Sequence, residues 1–379
     1  MKVLILHSRY RSGPVSGENR VVEDEARLLN AAGHAVDVFS PRVADLSFTR
    51  MFSMAADTIW SSAAVSEVRR RLDAFRPDIV HCHNLYPALS PAVIRTAAER
   101  APVVVTLHNY RLMCLPGTFL RSGAICEDCR GRSPWPGIVH GCYRSSRLAS
   151  GVLASSLIVH RLLATFERVA LYIAISGFVR SKYAEGGLDA SRMIVKPHFA
   201  WPTPRRRGAG DHFLYMGRLS PEKGVGTLLR AWTDVNSPLV IVGDGPEASR
   251  LRSMAPPNVR FAGPVDRTGT RRFLRAARGV LAPSISYEAA GKVVLEAYAA
   301  GVPVVVSNLG GLPEVVQDGV TGLILPPADS SSWTEAAHRL LDNDESQRMG
   351  QAAFHLWSTR YSPEQGIANL EGAYRRALL

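Results

Sequence analysis

Glu288 and Glu296 stand eight positions apart, with Gly291 and Lys292 between them. Val293 to Ala300 has a helical pattern, so Glu296 lies inside a helix that opens near Gly291, and Glu288 precedes it on a loop. One carboxylate then suits sugar hydroxyls and the other ribose hydroxyls, with backbone amides turned to an anion between them. Upstream, Gly217-Arg-Leu-Ser-Pro-Glu-Lys-Gly224 follows a strand pattern and precedes a helix. Gly217 lets the backbone approach a ligand closely, and Arg218 and Lys223 put two cations at a helix entrance, where a diphosphate is the natural guest. A third segment, Gly301 to Glu314, runs from a buried strand into Gly310-Gly311, and ligands bind at such strand ends in open α/β sheets. Taken singly, each has an ordinary reading: a turn with two exposed cations, or a capping Glu beside a surface acid. Their convergence favours a site.

In the first half, Leu107-His108-Asn109-Tyr110 follows a strand pattern, where His108 would orient sugar hydroxyls or share a proton with an acceptor. His81-Cys-His83-Asn84 ends another strand and is expected to line the same cleft, ranked after His108. Ser16-Gly17-Glu18-Asn19 joins the first strand to the first helix, with Ser16 as a candidate cap. Cys126 and Cys129 have the two-residue spacer of a metal knuckle, with Cys114 twelve positions upstream and Cys142 thirteen downstream. Four thiolates would hold a structural zinc and pin the loop from about 110 to 145, with His140 as an alternative ligand; the other reading is four reduced, partly buried cysteines.

Short β-branched runs alternate with helical patterns to position these groups. Val3–Leu6, Ala35–Phe39, Pro77–His81 and Val103–Leu107 read as strands, and Glu18 to Ala32 as a helix ended by Gly33. The alternation restarts with Phe213–Met216, Leu239–Val242 (leading into Gly243-Asp-Gly245), Val259–Phe261, Gly279–Ala282 and Val304–Val306. Between the halves, Pro197 to Gly210 is a linker by composition. The expected architecture is two doubly wound parallel-sheet domains, residues 1–197 and 211–360, joined by 198–210, with a ligand in the crevice between them.

Net charge is +12. Residues 1–200 hold 25 Lys and Arg against 16 Asp and Glu, so the first half carries most of the excess. That favours a polyanionic partner or an anionic membrane surface, or else simply basic solvated faces. No basic tract interleaved with aromatics points to nucleic acid. Four apolar residues between Lys2 and His7 are too few for a secretory signal, and Leu148 to Ala164 is interrupted by Ser155, Ser156, His160 and Arg161, so no span is expected. A cytoplasmic location, peripheral to the inner membrane face if the basic half meets lipid, is the expectation.

The segments GRLSPEKG, IVGDGPE, YEAAGKVVLEAYAAGVPVV and GGLPEVVQDGVTGLILPPAD resemble the donor domain of family 4 retaining glycosyltransferases of the GT-B fold. The match is strong over roughly 211–330 and extends in motif order along nearly the whole chain. The resemblance implies GT-B architecture: α/β, two Rossmann-like domains facing each other across a cleft, with residues 361–379 crossing back to the first domain. It implies that Arg218 and Lys223 hold the donor diphosphate, Glu288 the sugar and Glu296 the ribose. Gly217, Gly243, Ala290, Gly291, Lys292 and Val293 would surround the phosphates and sugar, and Phe261–Val265 the base. A Gly-rich loop at Gly13 and Gly17 would approach the phosphate, and His108 would face the donor sugar. The family usually follows the first Glu with Gly-Phe-Gly, where this chain has Ala289-Ala290-Gly291, so Ala290 would reshape the sugar pocket. The implied reaction moves a hexose-type sugar from a UDP- or GDP-sugar to a saccharide, lipid-linked or small-molecule acceptor, with no cofactor needed for catalysis. An epimerase or phosphorylase on the same fold, or a nucleotide-sugar binding protein without activity, would keep the same pocket.

Overall fold

Strands made almost wholly of Val, Ile and Leu and buried on both faces read as the centre of a parallel sheet. The computed structural model, which describes residues 1–9, 17–41 and 48–379, contains two such sheets. In the first lie β1 (Lys2–Leu6), β2 (Ala35–Phe39), β3 (Ile79–Cys82) and β4 (Val103–Leu107). The two-residue strands β5 (Leu120–Arg121) and β6 (Ala124–Ile125) form a separate antiparallel pair, and β7 (Leu171–Ala174) and β8 (Met193–Val195) complete the first sheet. Its order is β2-β1-β3-β4-β7-β8, all parallel.

The second sheet is built from β9 (His212–Met216), β10 (Leu239–Val242), β11 (Val259–Gly263), β12 (Ala277–Ala282), β13 (Val304–Ser307) and β14 (Gly322–Leu325). Its order is β11-β10-β9-β12-β13-β14, again all parallel. In each sheet the chain winds to one side and then the other. The direction reverses between β1 and β3 in the first and between β9 and β12 in the second. Such reversals splay the following loops apart and open a crevice at the carboxyl ends of the two strands.

The chain divides into two compact units, Met1–Phe119 with Glu127–Lys196 and Ile367–Leu379, and Leu120–Cys126 with Pro197–Gly366. The helix Pro363–Ala377 thus ends in the first unit, where Leu370, Ala373 and Tyr374 pack with Ile5, Val22, Leu29 and Ile173. In the second unit one face of the sheet is covered by Leu295, Tyr298, Leu312 and Trp357, and the other by Leu228, Trp232, Trp333 and Leu340. The strands β7, β8 and β14 have no counterpart among the sequence-based strands.

Candidate functional site

The reversal between β9 and β12 places Gly217 at the end of one strand and Pro283 to Glu288 after the other. Beyond Gly217, the Tyr215 hydroxyl donates to the Arg218 carbonyl at 2.8 Å, and the Leu219 amide donates to the Asp244 carbonyl at 3.0 Å. A single turn, Pro221–Lys223, then carries Lys223 to Glu288, Nζ to Oε1 2.5 Å. The Ser284 hydroxyl donates to the same carboxylate oxygen, and the Ile285 amide donates to the Glu222 carbonyl at 3.0 Å. The two loops are therefore joined by backbone as well as by charge.

The Lys223 and Glu288 side chains are 30% and 18% exposed. Burial opposes ionisation of Glu288, but the Lys223 ammonium and the Ser284 hydroxyl outweigh it and hold the carboxyl below its usual range. Burial likewise works against the Lys223 charge, and Glu288 overrides it to raise that pKa. The carboxylate's contribution is complete above its unfolded pKa and lost as pH falls through the depressed folded value. The ammonium's is complete below its unfolded pKa and lost as pH rises through the raised one. The pair is ionised throughout the neutral range. Lys223 is thus neutralised by Glu288 rather than standing open beside Arg218, which is exposed and forms no ion pair among the described residues.

Two glycines are dictated by close approach. Gly243 has φ +136°, and a Cβ there would lie 1.9 Å from the Gly217 carbonyl oxygen. Gly310 has φ +68°, and a Cβ there would lie 2.3 Å from the Glu288 carbonyl oxygen, while the neighbouring Gly311 amide donates to that same oxygen at 2.7 Å. Gly310→Ala is expected to displace Glu288. It should lower stability by at least about 2 kcal/mol, from left-handed strain plus the clash. A thermal melt of the variant that matches the parent would refute this.

Beyond Glu288, the helix Lys292–Ala299 opens at Gly291 with no side-chain cap. Gly291 is buried, and a Cβ there would press on Leu312 at 2.6 Å. Ala290, Lys292, Val293 and Glu296 are half-buried around the first turns of this helix. Val265 lies after β11, half-buried on the hydrophobic core and beneath the Gly269 backbone.

In the first unit the reversal lies between β1 and β3, and the residues after those strands are His7 and His83. His83 Nδ1 and His108 Nε2 are 2.8 Å apart, one ring donating a hydrogen bond to the other. Behind them, the buried Lys196 Nζ donates to Glu25 Oε1 at 2.8 Å, with the two side chains only 2% and 1% exposed. Glu25 Oε2 stands 3.7 Å from His83 Nε2 and 4.0 Å from His81 Nδ1. Burial drives His83 well below its usual pKa, with His81, His108, His7 and Lys196 adding to the effect. Burial also takes His81 down to about 4, against the pull of Glu25. His7 bonds Asn19 at 2.7 Å through Nε2, and Asn109 donates to Glu18 at 2.7 Å, tying the β4 loop to the first helix.

A cavity of about 50 Å³ behind this cluster is lined by His83, Asn84, His108, Arg111 and Tyr183 among others. It is room for a hydroxyl or a few waters rather than a sugar ring. His83 and Asn84 do line a pocket with His108. His81 does not: it is fully buried, held by Thr106 at 2.7 Å and by the Tyr374 hydroxyl at 2.8 Å. Sequence reading passed over Glu25 and Lys196. They lie far apart in the chain, and the one available signal was an acid inside the buried face of the first helix.

Gly17 is the exposed first residue of the helix Gly17–Ala31, and a Cβ there would meet nothing within 4 Å. Gly13 and the Ser16 cap lie outside the described residues.

Cys114, Cys126, Cys129 and Cys142 are the four cysteines whose spacing suggests a zinc knuckle. Among the described residues one group of three or more His, Cys, Asp or Glu side chains brings its ligating atoms within 4.8 Å of one another: Glu25, His81 and His83. Cys114, Cys126, Cys129 and Cys142 are not part of it. None of these cysteines forms a disulfide. Burial pushes the Cys114 thiol up to about 11. The Glu25 group already has its cation in Lys196, and both ring nitrogens of His81 are engaged, so it reads as a buried ion pair.

Residues 210–343 match the family described as Glycosyl transferases group 1, and residues 15–199 match Glycosyltransferase Family 4. The chain is 30% identical over 341 residues to a phosphatidyl-myo-inositol mannosyltransferase of Mycobacterium leprae, covering 84% of this chain and 82% of that protein. It is 29% identical over 398 residues to a glycogen synthase of Mycobacterium tuberculosis, covering 93% and 89%. Among solved structures, Anabaena HepE in complex with UDP and glucose superposes with a TM-score of 0.67 at 18% identity, over the whole of both chains. Sucrose-phosphate synthase from Thermosynechococcus elongatus superposes with a TM-score of 0.71 at 18% identity, over 98% of each. With its two Rossmann-like parallel sheets of the GT-B fold and matches across both halves, the chain belongs to the family 4, group 1 glycosyltransferases.

Proposed function

We propose that this glycosyltransferase moves a hexose-type sugar from a UDP- or GDP-sugar to an acceptor hydroxyl of a glycan, a lipid-linked saccharide or a natural product, with retention of configuration. The observation that carries the reading is the Lys223–Glu288 pair at the reversal between β9 and β12, beside the uncapped helix start at Gly291. Cleaving a sugar–phosphate bond builds negative charge on the departing diphosphate. Arg218 and Lys223 are the cations to meet it, and the helix start adds a positive dipole end. As the phosphate draws Lys223 away, Glu288 is released to accept hydrogen bonds from sugar hydroxyls. Glu296, farther along the same helix, takes the ribose, and Val265 the base. His108, backed by His83, supplies a polar group of the first unit for a sugar or acceptor hydroxyl.

A uridine donor is favoured by the likeness to HepE, which was solved with UDP and glucose. A cytoplasmic site of action fits five cysteines that form no disulfide.

Thermal-shift titration with UDP- and GDP-sugars tests the donor reading. Ligand at a hundredfold over its Kd stabilises by about 2.7 kcal/mol, a rise of several degrees in Tm for a domain of this size. A flat response to every nucleotide sugar, with no nucleoside diphosphate released when acceptor saccharides are added, would sink it.

A further inference from the structure

Residues 130–166 contain five arginines and no Asp or Glu. The same stretch holds six of the large apolar side chains that the fold leaves exposed: Trp135, Val139, Leu148, Ile158, Leu162 and Leu163. The other exposed large apolar side chains are scattered over the rest of the chain. Isolated surface Leu or Val is ordinary, whereas a concentration of them in an acid-free, arginine-bearing segment of one unit is not.

These side chains share faces. On the helix Arg147–Leu162, Leu148, Ser155 and Leu162 recur at seven-residue spacing, and Ile158 lies one turn before Leu162. They form a stripe about 21 Å long. Leu153, Ala154, Leu157 and His160 on the opposite face are buried. Leu148 is 71% and Leu162 81% exposed, so both tips stand in solvent. Trp135, 64% exposed, and Val139 lie one turn apart on the short helix Trp135–Val139, which packs against the long one. Arg147 Nε donates to the Val139 carbonyl at 3.0 Å, which joins the two apolar patches at an arginine. Arg144 lies over the Tyr143 ring at 5.4 Å, at the same end of the helix.

We propose that this face docks on an anionic lipid bilayer. Trp135, Leu148 and Leu162 would enter the headgroup and acyl boundary, and Arg144 and Arg147 would meet lipid phosphates. The helix is short and interrupted by Ser155, Ser156 and His160, and no helix among the described residues is long and apolar enough to cross a membrane. It therefore lies on the surface. A bilayer matches a long convex stripe flanked by cations without needing a complementary groove. Docking is independent of the sugar-transfer reading, because none of these residues belongs to the donor site.

The experiment is co-sedimentation of the full chain with vesicles of phosphatidylcholine alone and of phosphatidylcholine with phosphatidylglycerol. Two variants are compared: R144Q/R147Q, and L148S/L162S with W135S added. Each should keep the parent's Tm, since these tips are exposed. The parent should bind the mixed vesicles and not the neutral ones. The charge variant should bind about tenfold more weakly, from roughly 1 kcal/mol per arginine less screening by salt. The apolar variant should lose at least about tenfold. Three results overturn the proposal: no binding to anionic vesicles, binding indifferent to both variants, or self-association in solution that L148S/L162S abolishes, which would make the face a contact between two copies of the chain.

Discussion

Lys223→Ala is expected to lower kcat/KM by about 10²- to 10³-fold, equivalent to roughly 2.7–4 kcal/mol of lost transition-state stabilisation. The effect should fall mainly on kcat, because charge builds on the diphosphate as the bond breaks. In the resting protein the Lys223 ammonium is bound to Glu288 at 2.5 Å, so the two side chains are expected to be coupled. A double-mutant cycle with Glu288→Gln measures that coupling. The double variant should be less impaired than the product of the two single effects, because each single change already breaks the pair. Stability is the control. The side chains are 30% and 18% exposed, so their pairing is partly screened by solvent and the Tm should move little. Donor turnover within threefold of the parent in Lys223→Ala would remove the cation from the mechanism.

The second large effect is on stability. Lys196→Met should destabilise the first unit by about 3–5 kcal/mol, because it removes the ammonium from Glu25 in a site where both are almost fully buried. On a unit of this size that corresponds to roughly 10 °C in Tm. The penalty should depend on pH. In the parent, burial keeps His81 down at about 4 and His83 well below its usual value, so both are neutral. In the variant the Glu25 carboxylate would draw a proton onto one of these rings and rebuild a charge pair. The loss should therefore be greatest near pH 8 and shrink toward about pH 5.5.

The parent should behave in the opposite sense. A histidine depressed from 6.5 to about 4 binds fewer protons folded than unfolded between those values, so the parent loses stability as pH falls through that window. Replacing both partners in Lys196→Met/Glu25→Leu should recover much of the loss. Chemical denaturation at two pH values reads all of this. A single-variant loss below about 1 kcal/mol would mean that the pair is solvated.

Much of the fold was legible because a parallel sheet buried on both faces leaves continuous apolar runs. Val3–Leu6, Val103–Leu107 and Leu239–Val242 are such runs, and each is a central strand. β8 has only three residues, too short for periodicity to separate it from loop. The order of strands was beyond reach, since pairing of β9 with β12 joins segments with two other strands between them in the chain.

The donor motifs were likewise visible as residue types at spacings: cations at 218 and 223, acids at 288 and 296, glycines at the strand ends. What those side chains do to one another was not. That Lys223 is held by Glu288, that Gly310 is pressed against Glu288, and that Glu25 and Lys196 lie together under His83 follow only once the sheets are wound. The spacing of the cysteines suggests a ligand set, and only the fold shows that Cys114 is buried while Cys126, Cys129 and Cys142 are half-buried. Local pattern reports which chemistry a segment can carry, because backbone propensity and side-chain period act over a few residues. Which charges meet, and which are desolvated, depends on contacts across tens to hundreds of positions, and only tertiary packing brings those about.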